Sequence, residues 1–107
     1  MAEPHPIDRL FAVIASRRNA DPATSYTAKL FGQGILRIAK KLGEEGVETA
    51  LAAVAQDKAA LAAESADLLY HLLVLWAASG LTPEEVYAAL DGRTHRSGLE
   101  EKSSRTD

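Results

Sequence analysis

The chain has 107 residues, of which 47% are hydrophobic and 25% are charged, and it contains no cysteine. This length predicts one domain covering residues 1–107, and this balance of apolar and charged residues argues against a disordered chain. The formal net charge of −3 argues against the broad basic surface that nucleic-acid binding requires. The lack of cysteine excludes a disulfide framework, a thiolate zinc site and a cysteine nucleophile.

The N-terminal residues do not have the pattern of a signal peptide, because an acidic residue and two prolines replace its basic end and apolar run. The longest apolar run, residues 68–78, is shorter than the roughly 18 residues that a membrane span needs, and it contains Tyr70 and His71. We therefore expect a soluble, cytoplasmic protein that binds neither a membrane nor nucleic acid.

The first third of the chain contains one clear helix and one ambiguous segment. In residues 7–18, apolar side chains recur at intervals of three and four, which predicts a helix with Pro6 in its first turn. Residues 19–24 contain Asp21-Pro22 and predict a loop. Residues 25–30 fit either a short helix or an extended piece, and two glycines follow them.

Two long apolar segments dominate the middle of the chain. The patterns predict helices over residues 35 to about 55 and 58–79, with Asp57 as the N-cap of the second and Gly80 ending it. Since only two or three residues separate these helices, they must form an antiparallel hairpin.

A shorter helix is expected after the hairpin. Thr82-Pro83-Glu84-Glu85 has the spacing of a capping box with proline at the first helical position, which predicts a helix from Pro83 to about Asp91. From Gly92 onward the residues are polar and have no helical periodicity. We expect this tail to be flexible from about residue 94.

Both long helices are apolar around more of their circumference than a lone hairpin can cover, and a helix that is apolar nearly all round is usually buried. The short helices are too few to cover this surface, so a second copy of the chain is the expected cover. The sequence therefore predicts an all-α helical bundle, built on a long antiparallel helix hairpin and completed by homodimerisation.

Acidic residues interrupt the apolar pattern of both long helices. Glu45 and Glu48 are three residues apart, as are Glu64 and Asp67, so each pair lies on one helical face. With the hairpin turn near Asp57, the two pairs are about equally far from it, at about 1.5 Å per residue. The spacing predicts that four carboxylates converge on one patch.

Carboxylates placed this close together, beside leucine and isoleucine, are partly desolvated and repel one another unless a cation or protons intervene. Hard oxygen ligands at this spacing suit Mg²⁺, with Mn²⁺ as a substitute. The alternative is that these acids only solvate an exposed helix face, which is the commoner role of a single acidic pair.

The acidic motif also resembles a known signature. Glu44-Glu45-x-x-Glu48 followed by Glu64-x-x-Asp67 is similar to the EExxE…ExxD signature of the all-α nucleoside triphosphate pyrophosphatases, the MazG-like superfamily. Within it, the chain most resembles the phosphoribosyl-ATP pyrophosphatase family. The supporting segments are residues 25–30, 38–45, 64–72 and 97–102.

The resemblance implies a Mg²⁺-dependent hydrolysis of phosphoribosyl-ATP to phosphoribosyl-AMP and pyrophosphate, the second step of histidine biosynthesis. It implies that Glu45, Glu48, Glu64 and Asp67 hold the metal. Glu44 would be another ligand or the base that positions the attacking water.

A substrate with several negative charges needs cations along its route. Lys41 precedes Glu45 by four residues and could either contact a phosphate or pair with Glu45. Lys29 is the other candidate cation, and Ser25 and Thr27 could bind phosphate or ribose, or simply cap a local turn.

Three further side chains near the acidic motif have open roles. His71 follows Asp67 by one helical turn and is either a partner of the Asp67 carboxylate or a packing residue. Tyr70 and Trp76 are expected in the core or at a dimer contact, while adenine stacking on Tyr26 or Tyr70 has no support from the sequence.

Two other functions stay open at this point. One is a different all-α pyrophosphatase, which acts on dUTP or damaged nucleotides through the same metal site, and a panel of nucleotide substrates would separate the two. The other is a non-enzymatic helical interaction module, for which Mg²⁺ or Mn²⁺ would cause no thermal shift.

Overall fold

The computed structural model describes residues 4–94, which form five α-helices and contain no strand. The helices are α1 (Pro6–Ser16), α2 (Tyr26–Gln33), α3 (Ile35–Val54), α4 (Lys58–Ser79) and α5 (Pro83–Thr94). The predicted all-α fold is confirmed. The predicted flexible tail lies outside the described residues, apart from its first position.

Helices α3 and α4 form the predicted antiparallel hairpin. The Thr49 hydroxyl contacts the backbone carbonyl of Glu64, and Gly46 faces the side chain of Leu68. An earlier residue of α3 thus meets a later residue of α4, as in antiparallel helices. The turn between the helices places Gln56 at φ 60°, and the Asp57 side chain accepts the Ala60 N–H at 3.0 Å to begin α4. The predicted N-cap of α4 is therefore confirmed.

The segment with ambiguous periodicity is the start of helix α2. Ser25 has extended backbone angles, and its Oγ accepts a hydrogen bond from the Ala28 N–H at 3.1 Å, which caps the first turn. The helix then continues through Gln33 and stops at Gly34, whose φ of 88° favours glycine.

The capping box at the start of α5 is present, but the predicted end of that helix is wrong. Thr82 N–H donates to Glu85 Oε2 at 2.8 Å, and Glu85 N–H donates back to Thr82 Oγ1 at 3.3 Å. The helix passes Asp91 and ends at Thr94. Gly92 lowers helix propensity without blocking the backbone, and the Thr94 hydroxyl donates to the Asp91 carbonyl at 2.7 Å.

A small core forms where α1, α2, α3 and α4 meet. Its fully buried members are Ile14, Leu30, Ile38, Leu73 and Val74. Tyr70 and Trp76 pack against this core, as expected for two of the aromatic residues. The outer face of α3 is left uncovered, since Val47, Leu51 and Val54 are 61%, 62% and 79% exposed.

Helix α4 is long and apolar enough to cross a membrane by length and composition, with a mean hydropathy of 1.3. The length of the longest uninterrupted apolar run underestimates the hydropathy of this helix, because polar residues divide it into shorter apolar segments. The core helix of a soluble protein passes the same test, and α4 packs against α1, α2 and α3 and holds His71, Leu73 and Val74 buried. One side of α4 therefore belongs to the core, although only 22% of its apolar stretch is buried.

Candidate active site

Three carboxylates meet where the middle of α3 faces the middle of α4. Glu45 and Glu48 come from α3, Glu64 comes from α4, and one oxygen of each lies within 4.8 Å of the other two. The structure therefore brings together three of the four predicted metal ligands. We call these three side chains the carboxylate cluster.

Asp67 and Glu44 lie at the margins of this cluster. Asp67 is exposed and outside the 4.8 Å spacing, yet its charge contributes to the raised pKa of both Glu45 and Glu64. The Glu44 side chain is 49% exposed, and its Oε1 is 3.7 Å from Lys41 Nζ. The interpretation that Lys41 pairs with Glu45 is thus wrong, because Lys41 pairs with Glu44.

The electrostatics of the cluster oppose full ionisation. Burial raises the pKa of Glu45 and of Glu64 above the ordinary value of 4.5, and the charge and hydrogen bonding of Glu48 raise both pKa values further. The Oε2 atoms of Glu45 and Glu64 are buried and have no hydrogen-bond partner in the described part of the chain. Oxygen atoms in this position need protons or a cation to offset their desolvation.

Thr49 aligns the two helices at the cluster, and sequence reasoning missed it. Its hydroxyl lies 2.7 Å from the Glu45 carbonyl and 3.1 Å from the Glu64 carbonyl, so it joins the backbones that carry two of the three carboxylates. The available signal was its position, one turn after Glu45 on the face toward α4.

His71 lies one turn beyond Asp67 and is only 6% exposed. Its Nδ1 lies 2.8 Å from the Asp67 backbone carbonyl, so Nδ1–H must donate to that oxygen. The interpretation of His71 as a partner of the Asp67 carboxylate is therefore wrong. The buried Nε2 of His71 has no hydrogen-bond partner among residues 4–94. The electrostatic interaction of His71 with Glu45 lowers the pKa of Glu45, against the larger effects that raise it.

Aromatic and hydroxyl side chains fix the start of α2 beside the cluster. The Thr27 hydroxyl and the Tyr70 hydroxyl share a short hydrogen bond, and the Tyr26 ring stacks on Tyr70 with centroids 6.3 Å apart. The Tyr26 ring also meets His71 edge-on at 6.3 Å. The first turn of α2 therefore contacts the turn of α4 that follows Asp67.

The chain is similar to known proteins along most of its length. A family model described as phosphoribosyl-ATP pyrophosphohydrolase matches residues 7–94. A phosphoribosyl-ATP pyrophosphatase of Azospirillum brasilense is 58% identical over 99 residues, which cover 92% of this chain and 89% of that protein. The proteins of that name from Rhodospirillum rubrum and Parvibaculum lavamentivorans are each 56% identical, covering 95% and 97% of this chain and 87% and 95% of their own lengths.

The chain belongs to the phosphoribosyl-ATP pyrophosphohydrolase family. The family resemblance found in the sequence is confirmed, and so is the prediction that the protein is a hydrolase. The match includes the whole α2–α4 region, so every residue of the carboxylate cluster lies inside it.

In this pyrophosphohydrolase, the four predicted substrate-binding residues occupy different settings. Ser25 acts as the N-cap of α2, and Thr27 is bound to Tyr70, so both hydroxyls have structural partners. Lys29 is exposed on α2 and makes no ion pair within residues 4–94. Lys41 is 31% exposed beside Glu44, next to the carboxylate cluster.

Proposed function

We propose that this protein hydrolyses phosphoribosyl-ATP to phosphoribosyl-AMP and pyrophosphate in a Mg²⁺-dependent reaction, the second step of histidine biosynthesis. The observation that carries the proposal is the carboxylate cluster on α3 and α4, in a chain of this family. Hydrolysis of a phosphoric anhydride requires charge neutralisation on the phosphates and a positioned water. A cation held by the cluster could neutralise phosphate charge and position the attacking water.

The residues of the cluster fit a hard divalent cation. Three carboxylate oxygens within 4.8 Å of one another are the donor type that Mg²⁺ and Mn²⁺ prefer. The buried Oε2 atoms of Glu45 and Glu64 accept no hydrogen bond from the described residues. Glu45, Glu48 and Glu64 would hold the cation, with Asp67 at the open side. When bound, such an ion neutralises phosphate charge and lowers the pKa of a coordinated water.

The neighbouring residues can bind and orient the substrate. Lys41 lies one turn before Glu45, and its partial exposure lets it leave Glu44 for a phosphate oxygen. Glu44 would then be free to accept a proton from water or to act as an additional ligand. Lys29 adds a second cation from α2, whereas Ser25 and Thr27 would mainly hold the first turn of that helix in place.

We also propose that the enzyme is a cytoplasmic homodimer, joined through the second half of the outer face of α3. Val47, Leu51 and Val54 lie on one side of this helix and are each more than half exposed, although they are apolar. A second copy that packs the same face against them would remove this surface from water through a two-fold symmetric contact.

The proposed activity can be tested with the purified protein and a panel of substrates. We expect pyrophosphate release from phosphoribosyl-ATP with Mg²⁺ or Mn²⁺ and none with excess chelator. A higher kcat/KM for dUTP than for phosphoribosyl-ATP would assign the chain to a different pyrophosphatase activity. A failure to hydrolyse any nucleotide, with no thermal shift on adding metal, would favour the interaction module.

A further inference from the structure

A groove of about 520 Å³ lies at the junction of α2 and α3, away from the carboxylate cluster. It is lined by Gln33 at the end of α2 and by Leu36, Arg37 and Lys40 in the first two turns of α3. Among residues 4–94, both charged residues that line the groove are cations. Within residues 4–94, neither Arg37 nor Lys40 forms an ion pair.

Of the groove residues on α3, Arg37 lies in one row with Lys41, Glu44 and Glu48, whereas Leu36 and Lys40 lie on the outer face of the helix. Arg37, Lys41, Glu44 and Glu48 follow one another at intervals of four, three and four residues, which keeps them within about 60° of the helix circumference. Arg37 is about 16 Å from Glu48 along the axis, with Lys41 between them. A ligand held at the carboxylate cluster and extending along this row would reach Arg37, at the edge of the groove.

The proposed substrate contains a group that ATP lacks, and the enzyme needs a site that recognises it. Phosphoribosyl-ATP and ATP carry the same triphosphate, so the carboxylate cluster alone cannot distinguish them. They differ by a ribose that bears a phosphate monoester. Discrimination therefore requires contacts with that added group, and a phosphate is the part that cations recognise most strongly.

We propose that the Arg37–Lys40 groove binds the phosphate of the phosphoribosyl group and thereby selects phosphoribosyl-ATP over ATP. The planar guanidinium of Arg37 can donate two hydrogen bonds to a phosphate, and Lys40 adds a mobile ammonium charge. Leu36, which is 87% exposed, and the amide of Gln33 face the same space, where the ribose would lie. This assignment rests on the proposed function for the identity of the substrate.

The kinetic test uses Arg37→Ala and Lys40→Ala, with Lys58→Ala as a matched exposed cation at the hairpin turn. We expect each groove variant to raise the KM for phosphoribosyl-ATP at least tenfold, with kcat changed less than twofold. This is the signature of a contact that binds ground state and transition state equally. The kcat/KM ratio of phosphoribosyl-ATP over ATP should fall by the same factor, and Lys58→Ala should behave like the wild type.

A second measurement needs neither metal nor catalysis. Ribose 5-phosphate, added to the wild-type protein in excess chelator, should shift the amide NMR signals of residues 33–40, and Arg37→Ala should abolish the shifts. The assignment requires both results, so an unchanged KM in both groove variants or an absence of shifts in the wild type overturns it. If the wild type does not hydrolyse phosphoribosyl-ATP, the proposed function fails, and the ribose 5-phosphate titration alone decides the groove.

Discussion

Replacing Thr49 with valine tests whether the alignment of α3 and α4 is part of the site. Valine keeps the shape of the side chain but removes the hydroxyl that lies 2.7 Å from the Glu45 carbonyl and 3.1 Å from the Glu64 carbonyl. Both carbonyls keep their own helical hydrogen bonds, so the loss should be near the typical net value of about 1 kcal/mol. For a domain of this size, that corresponds to a fall in Tm of about 4 °C or more.

The same substitution should weaken metal binding, because Glu45 and Glu64 are held level by this contact. If the whole loss acts on cluster alignment, about 1 kcal/mol corresponds to roughly a fivefold weaker Kd for Mn²⁺. Thermal melting without metal and Mn²⁺ titration would measure the two effects, with Thr49→Ser as the control that keeps the hydroxyl. Wild-type melting and wild-type Mn²⁺ affinity in Thr49→Val would refute the reasoning.

Three more expectations follow from exposure and electrostatics. Leu51→Glu should convert a dimer into a folded monomer in sedimentation experiments at micromolar concentration, and a dimer that survives the change would exclude this face of α3 as the interface. Without metal, Glu45→Gln should stabilise the protein at neutral pH, because a raised carboxyl pKa means that stability is lost as pH rises through it. That gain in Tm should shrink as the pH falls toward 4.5, and a gain that is independent of pH would contradict the assignment. The hydrogen bond to Asp8 raises the pKa of Tyr87 to about 12, so absorbance titration should show one tyrosine ionising near that pH, and this step should be lost in Tyr87→Phe.

Local signals in the sequence are sufficient for the hairpin and for most of the cluster. The periodicity of the two long segments and the short break at Asp57 are enough to place Glu45 level with Glu64. The side-chain contacts are not predictable in the same way. Whether Lys41 pairs with Glu44 or Glu45 depends on rotamers and solvent exposure, since both partners are within reach on the same helix.

Features that depend on packing between helices are also beyond the sequence. The short segment at residues 25–30 has no decisive periodicity, and it becomes helical because Ser25 caps it and Tyr70 binds Thr27. The role of Thr49 emerges only when α4 lies against α3. The groove at Arg37 needs the position of α2 relative to α3, which no spacing rule supplies.

The most direct test of the account is Mg²⁺-dependent pyrophosphate release from phosphoribosyl-ATP by Glu48→Gln, compared with Glu84→Gln, an exposed glutamate on α5. The charge and hydrogen bonding of Glu48 raise the pKa of both Glu45 and Glu64, so Glu48 interacts with both other members of the cluster. Because metal charge stabilisation contributes several kcal/mol to such reactions, we predict that turnover falls on the order of a hundredfold or more in Glu48→Gln, with Tm without metal unchanged or raised. Glu84→Gln should retain wild-type turnover. Normal turnover in Glu48→Gln would contradict the assignment of the carboxylate cluster as the catalytic metal site.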